Sequence, residues 1–308
     1  MTCIVLILSM FLVELGAESD LQSVETPKWF VIEGLVENKL NITYAEVQHF
    51  PILSEVTTLQ CVGGGQGGPK VTYNWTGVPL FYLLNLAKVI PGAYRKVVFN
   101  ATDGFSSSIM LQTAMEPTTL LGLKANGTDL EQVSGLGSGY RIVLPCRWGY
   151  KWVKWVKQII IVDYDYKGSY ESLGVSDDAF RPNCTMPATN PLTQNFTIIS
   201  HSQDHTIRAL SNSSISSFNY EQDKRLIFNV AGPEGTSGYF YLTFQTALLI
   251  SPYQFYLDQN LIEPIQTYVG SNIYLYFAYS HSSHTIEIKG TLLSSDSGGG
   301  YPSRHLLE

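Results

Sequence analysis

One thiol, Cys61, stands ahead of three cations, Arg141, Lys151 and Lys154, in a chain with four cysteines in all. A thiolate is a soft anionic ligand for a transition metal, and metal binding itself drives off the thiol proton. Arg141, Lys151 and Lys154 offer the charge-assisted donors that a phosphate requires. The stretch Gly63-Gly64-Gly65-Gln66-Gly67-Gly68 adds backbone N–H groups free to adopt positive φ, and reads equally as a loose loop. Taken singly, Cys61 is better explained as a small buried hydrophobe, and the lysines read also as a solvated strand edge beside Trp152 and Trp155. His281-Ser282-Ser283-His284 and the pair His201 and His205 suggest a metal. Residues i and i+3 of a strand point to opposite faces, however, so these histidines read as structural or exposed. No Gly-x-Ser-x-Gly elbow is present.

The order of motifs ties the thiol to the cations. Thr57-Thr58-Leu59-Gln60-Cys61-Val62 is followed by Trp75-Thr76-Gly77-Val78-Pro79-Leu80, Asp103-Gly104-Phe105-Ser106-Ser107-Ser108, Arg141-Ile142-Val143-Leu144-Pro145 and Gly149-Tyr150-Lys151-Trp152-Val153-Lys154-Trp155. This series resembles the molybdopterin-binding domain of the sulfite oxidase family, and Asp163 to Gly174 carries the likeness to about Asp178. The resemblance implies a molybdenum–molybdopterin cofactor, with Cys61 as the catalytic thiolate and metal ligand. It assigns Arg141, Gly149, Lys151 and Lys154 to the pterin and its phosphate. The implied reaction is a two-electron oxo transfer on a small substrate, with an unknown redox partner. Where the family has Asn/Arg-rich text after the cysteine this chain has glycines, where a histidine is common it has Leu136, and where tyrosine is usual it has Phe105. The alternative, from another class, is a cofactor-free cell-surface protein that keeps the fold for binding or adhesion.

Composition sets bounds on both readings. A hydrophobic fraction of 44% with 15% charged residues specifies a packed chain, and 19 tyrosines and 14 phenylalanines favour strands. The net charge of −7 argues against nucleic-acid binding, which needs a basic surface. The apolar run Ile4 to Val13, ending near Leu15-Gly16-Ala17, is too short to span a bilayer and reads as a signal peptide over residues 1–18, which implies an extracellular or cell-surface protein. Seven Asn-x-Ser/Thr tripeptides, at Asn41, Asn74, Asn100, Asn126, Asn183, Asn195 and Asn212, agree with export. Cys3 would leave with the leader. If Cys61 is kept for the metal, Cys146 and Cys184 are the pair that an oxidising exterior would bridge.

The elements that must position these residues fall into two regions. Residues 28–180 alternate helical spacing, as in Pro79 to Ile90 and more briefly Ala45 to Leu53, with strand-like runs at Val97-Val98-Phe99, Ile109-Met110-Leu111, Arg141 to Leu144 and Lys157 to Val162. That mixture predicts an α+β domain with the molybdopterin-binding fold. Residues 181–191 hold three prolines and read as a linker. Residues 192–290 carry strands at Phe196 to Ile199, Arg225 to Val230, Gly238 to Phe244, Phe255 to Leu257, Ile273 to Tyr279 and His284 to Ile288, which predicts an all-β sandwich with a core of its own. Its segments Gly232 to Gly238 and Tyr279 to Ile286 resemble a β-sandwich module of archaeal cell-surface proteins. Residues 291–308 are Ser/Gly-rich and read as a flexible tail.

Overall fold

The computed structural model describes residues 28–63, 68–137 and 139–290. The leader run, the middle of the glycine-rich stretch and the tail from residue 291 lie outside the described residues. The first half runs through β1 (Trp29–Gly34), β2 (Leu40–Thr43), α1 (Tyr44–Val47), β3 (Leu53–Gln60), β4 (Lys70–Pro79), α2 (Leu80–Ala87), β5 (Lys96–Ala101), β6 (Ser106–Met110), α3 (Leu111–Ala114), β7 (Leu120–Ala125), β8 (Thr128–Asp129), β9 (Arg141–Val143), β10 (Val156–Val162) and β11 (Thr189–Asn190). These strands form two sheets, ordered β2-β1-β10-β5-β6 and β11-β3-β4-β7-β8, with β9 added to β7. Phe30, Phe99 and Ile159 from the first sheet meet Trp75 and Leu121 from the second, and Leu80, Leu83, Leu84 and Ala87 of α2 complete the core.

This half is poorer in helix than the sequence suggested. α2 has eight residues, and α1 and α3 have four each. The apolar spacing from Pro79 onward does make a helix, because Pro79 is pre-set for a helix start, but Lys88 turns left-handed at φ 53 and ends it after two turns.

The second half runs through β12 (Thr193–Ser200), β13 (Gln203–Ser211), β14 (Ser214–Glu221), β15 (Arg225–Ala231), β16 (Ser237–Gln245), β17 (Tyr253–Leu257), β18 (Asn260–Ile262), β19 (Ile265–Val269), β20 (Asn272–Ser280) and β21 (Ser283–Gly290). Two antiparallel sheets result, β12-β13-β16-β20-β19 and β14-β15-β21-β17-β18. Ile207, Phe240, Leu242 and Leu275 from the one meet Phe228, Phe255 and Ile286 from the other in a second core.

The two halves are not merely strung together. β16 and β20 are buried almost throughout rather than at alternate residues, because both faces of their sheet are covered. Phe240, Leu242, Ile273 and Leu275 point into the second core, whereas Tyr239, Tyr241, Tyr274 and Tyr276 join the first. Phe81 stacks on Tyr241 with ring centroids 3.6 Å apart, and Tyr82 meets Tyr276 edge-on at 4.8 Å. Tyr241 donates to the Met115 carbonyl at 2.9 Å, and Thr267 donates to Asn85 Oδ1 inside the joint. The segment read as a plain linker also contributes β11, which pairs with Ser54 and Glu55 of β3.

Candidate functional site

β3 ends at Cys61 through a closed pair of backbone hydrogen bonds: Cys61 N–H donates to the Pro69 carbonyl at 3.0 Å, and Gly68 N–H donates to the Cys61 carbonyl at 2.8 Å. Two glycines press on this corner. A Cβ on Gly68 would lie 3.1 Å from Cys61 Cβ, and one on Gly149 would lie 3.0 Å from the Gln60 carbonyl oxygen and 3.4 Å from Cys61 Cα. A side chain at Gly149 would therefore push the turn at 149–151 off the strand end that carries the thiol. Cys61 is a free thiol and is exposed, not the small buried hydrophobe that the residue taken singly suggests.

Arg141 reaches the same corner from the other side of the chain. Its strand β9 continues into a crossing with the 153–156 segment, where Ile142 N–H donates to the Val153 carbonyl and Val156 N–H to the Tyr140 carbonyl, with Arg141 opposite Lys154. The guanidinium is buried. It donates through Nη1 to the Leu136 carbonyl at 2.6 Å, and Nε has no hydrogen-bond partner among the described residues. Burial pulls its pKa down to about 10, and electrostatic interaction with Cys61 works against that fall. Lys154 lies with Nζ 3.8 Å over the Trp155 ring; desolvation lowers its pKa first and repulsion from Arg141 second, while Asp103 opposes both. Gly137, at φ 86, leaves room for this pair, since a Cβ there would sit 3.1 Å from Trp155 Nε1 and 3.3 Å from Lys154 Cδ. Cys61, Gly149, Arg141 and Lys154 are thus gathered at one place.

Lys151 is directed elsewhere. Its completely buried ammonium donates to the Ser108 carbonyl at 2.7 Å, to Glu171 at 2.5 Å and to Asp177 at 3.1 Å, which uses all three of its protons. Asp177 is shared with Lys96, and Ser107 donates to the same Glu171 oxygen as Lys151. The grouping of Lys151 with Lys154 fails because a tight turn over Gly149–Lys151 precedes the extended crossing, so the two ammonium groups leave on different sides. Sequence reasoning also missed Arg181, whose Nη1 donates at 2.9 Å to the side-chain oxygen Oε1 of Gln60, the residue before Cys61. The histidines are engaged in the second half: His281 with Ser213 and Thr236, His284 with Asp258, His205 with Gln245 and His201 with Asp223. Among the described residues no group of three or more His, Cys, Asp and Glu side chains could hold a metal ion.

Residues 19–170 match the sequence profile of the oxidoreductase molybdopterin binding domain, the domain of the sulfite oxidase family. These residues belong to that family. YedZ1 of Azospira oryzae is 32% identical over 139 residues, which cover 45% of this chain and 50% of the relative. The protein-methionine-sulfoxide reductase catalytic subunit MsrP of Gluconobacter oxydans is 25% identical over 177 residues, covering 52% of this chain and 55% of the relative. The chain spans about half the length of these two relatives. Among solved structures, the sulfane dehydrogenase SoxCD of Paracoccus pantotrophus aligns with a TM-score of 0.42 at 21% identity, covering 82% of this chain and 63% of that one.

The cofactor of the family is molybdopterin. The residues at the Cys61 corner fit such a group on chemical grounds. A pterin carrying a phosphate and a metal dithiolene needs cations, a soft anionic ligand and backbone that can come close. Arg141 has an open buried donor, Lys154 is a cation with no ion pair among the described residues, Cys61 is a free thiol, and Gly149 lies against it.

Proposed function

We propose that the chain is an exported molybdenum–molybdopterin oxidoreductase that transfers an oxygen atom to or from a small substrate, with Cys61 as the thiolate on the metal and Arg141, Lys154 and Gly149 about the pterin. The observation that carries this reading is the buried Arg141 guanidinium, one donor satisfied and another open, with Cys61 within its electrostatic reach. A buried charge left half-paired is costly, and an anionic ligand removes the cost. Bound there, the cofactor would supply a metal centre able to change oxidation state by two. The chain's own part is to present Cys61 beside Arg141, to neutralise phosphate charge with Lys154, and to keep the backbone at Gly149 close.

Phe105 lies beside this corner: its N–H donates to Asp103 Oδ1, and Asp103 is the carboxylate felt by Lys154. It offers no hydroxyl for a proton or a hydrogen bond. Phe105 approaches Tyr170 at 5.9 Å, Tyr170 stacks on Tyr150 at 5.5 Å, and both Tyr170 and Leu173 are exposed. Such an apolar wall favours a sulfoxide or thioether over a small inorganic oxyanion, in keeping with the reductase named MsrP among the relatives. That relative is named a catalytic subunit, which supports a redox partner for this chain too. Export is supported by the Cys146–Cys184 disulfide and by sequon asparagines that are mostly exposed. In this reading the second half serves as the cell-surface module.

The second reading, a cofactor-free surface protein, is favoured by one observation, the exposed position of Cys61. Metal analysis of protein made in a host that assembles the cofactor separates the two. About one molybdenum per chain is expected, falling to background in Cys61→Ser with the melting temperature unchanged. A wild-type chain without molybdenum leaves the second reading standing.

A further inference from the structure

The segment that follows the family motifs returns to the Cys61 corner by a route the cofactor reading does not use. Residues 179–181 run antiparallel to residues 146–148: Trp148 N–H donates to the Ala179 carbonyl at 3.0 Å, Arg181 N–H donates to the Cys146 carbonyl at 2.9 Å, and Arg147 pairs with Phe180. The Arg147 guanidinium lies 5.2 Å from the centre of the Phe180 ring and forms an ion pair with Asp178. Cys146 and Cys184, with Cα atoms 5.4 Å apart, join the open end of this ribbon covalently. One end of the ribbon therefore leads through Trp148 into Gly149, which packs on Cys61 Cα, and the other carries Arg181.

The Arg181 side chain spans the gap between the two. Nη1 donates to Gln60 Oε1 at 2.9 Å, and Nη2 lies 3.2 Å from Cys184 Sγ. A guanidinium is planar, so contacts at two of its nitrogens fix its orientation as well as its position. Gln60 is the last residue of β3, and the strand end it occupies is also held by its pairing with Lys70 of β4 and by the bonds between Cys61 and the Gly68–Pro69 backbone.

We infer that Arg181 is a positioning residue for Cys61: seated on the Cys146–Cys184 bridge, it holds Gln60 and so steadies the strand end that carries the thiol. The bridge lies outside the thiol's own contacts, yet its presence sets how firmly the thiol is held. The geometry stands without any metal; its meaning for catalysis rests on the proposed role of Cys61 as ligand.

The test compares four forms of the full chain prepared free of cofactor: wild type, Arg181→Gln, Arg181→Lys, and the double variant Cys146→Ala/Cys184→Ala. Hydrogen exchange of the Cys61 amide is followed in each, with the β16 and β20 amides as an internal reference. Arg181→Gln is expected to speed Cys61 exchange about ten-fold and leave the reference within two-fold, because what is lost is a charge-assisted hydrogen bond of roughly 1.5 kcal/mol. Arg181→Lys should recover part of the protection. The disulfide-free variant should match Arg181→Gln, and adding Arg181→Gln to it should change the rate less than two-fold further, since both remove one tie. Cys61 exchange in Arg181→Gln within two-fold of wild type, or effects that multiply when combined, would overturn the inference. In protein loaded with molybdenum, metal release should quicken in the same order. If the exchange pattern holds in a wild type that never takes up molybdenum, the positioning role stands and the cofactor reading fails.

Discussion

Two buried cations ten residues apart, Arg141 and Lys151, occupy neighbouring parts of one half and have opposite surroundings. Lys151 has spent every proton on Ser108, Glu171 and Asp177. Arg141 has one bond to the Leu136 carbonyl, an unpartnered Nε among the described residues, and Cys61 within its electrostatic reach. A buried charge whose partners all come from the same chain fastens that chain to itself. A buried charge with an open donor is half of an arrangement whose other half comes from outside.

That contrast is easiest to break with Lys151→Met. It strands Glu171 without its cation and should cost about 3–5 kcal/mol in urea unfolding of cofactor-free protein. A loss under 1 kcal/mol would mean that Lys151 is not the fastening its geometry describes. A third buried ionisable group sharpens the comparison. Glu55 has neither carboxylate oxygen hydrogen-bonded among the described residues, and burial raises its pKa to about 9. Between the ordinary carboxylate range and that value the folded chain holds a proton the unfolded chain has lost, so stability falls as pH rises through this window, by on the order of 1.4 kcal/mol per pH unit. Glu55→Gln should abolish that slope and be the more stable form at pH 7 by on the order of 3 kcal/mol; parallel pH profiles for the two proteins would count against a neutral Glu55.

Arg141→Gln should behave in the opposite way to Lys151→Met. Removing an incompletely paired buried cation is expected to shift cofactor-free stability by no more than about 1 kcal/mol, while molybdenum content drops at least ten-fold. A large loss of stability with normal metal loading would reverse the assignments of the two cations. The smallest effect belongs to the second half. His284 has its pKa raised chiefly by its hydrogen bond to Asp258, so its contribution is complete below the free-imidazole pKa near 6.5 and is lost as pH climbs through the raised value. Asp258, lowered by the same bond, keeps its share down to acid pH. His284→Gln should cost about 0.5 kcal/mol at pH 6 and nothing measurable at pH 9.

Much of the second half was legible in the sequence. The runs at Arg225, Gly238, Ile273 and His284 are strands because apolar and aromatic residues are bounded by glycine and polar breaks. The strand over Gln203–Ser211 and its neighbour over Ser214–Glu221 were missed because serine, asparagine and histidine dilute their alternation. In Tyr239-Phe240-Tyr241-Leu242 the chain hides a second burial inside what reads as one strand, and local pattern does not say what covers the other face. At the thiol corner, Cys61 and Arg141 are eighty positions apart, so only likeness to a family could pair them. Lys151 looked the equal of Lys154, and the carboxylates that take its ammonium, Glu171 and Asp177, lie beyond the motif. Arg181 carries no signature at all, since a single arginine in a proline-rich stretch has meaning only once the disulfide is closed.

The sorting of tyrosines to one face of β16 and β20 has a consequence for dividing this protein. A piece beginning at residue 192 would keep its Phe- and Leu-lined core but bare Tyr239, Tyr241, Tyr274 and Tyr276 to water. The piece that ends there would uncover Phe81 and Tyr82. Each fragment would carry a sticky aromatic patch fitted to the other. Mixed in solution, the two should find each other and reassemble; kept apart, each should self-associate.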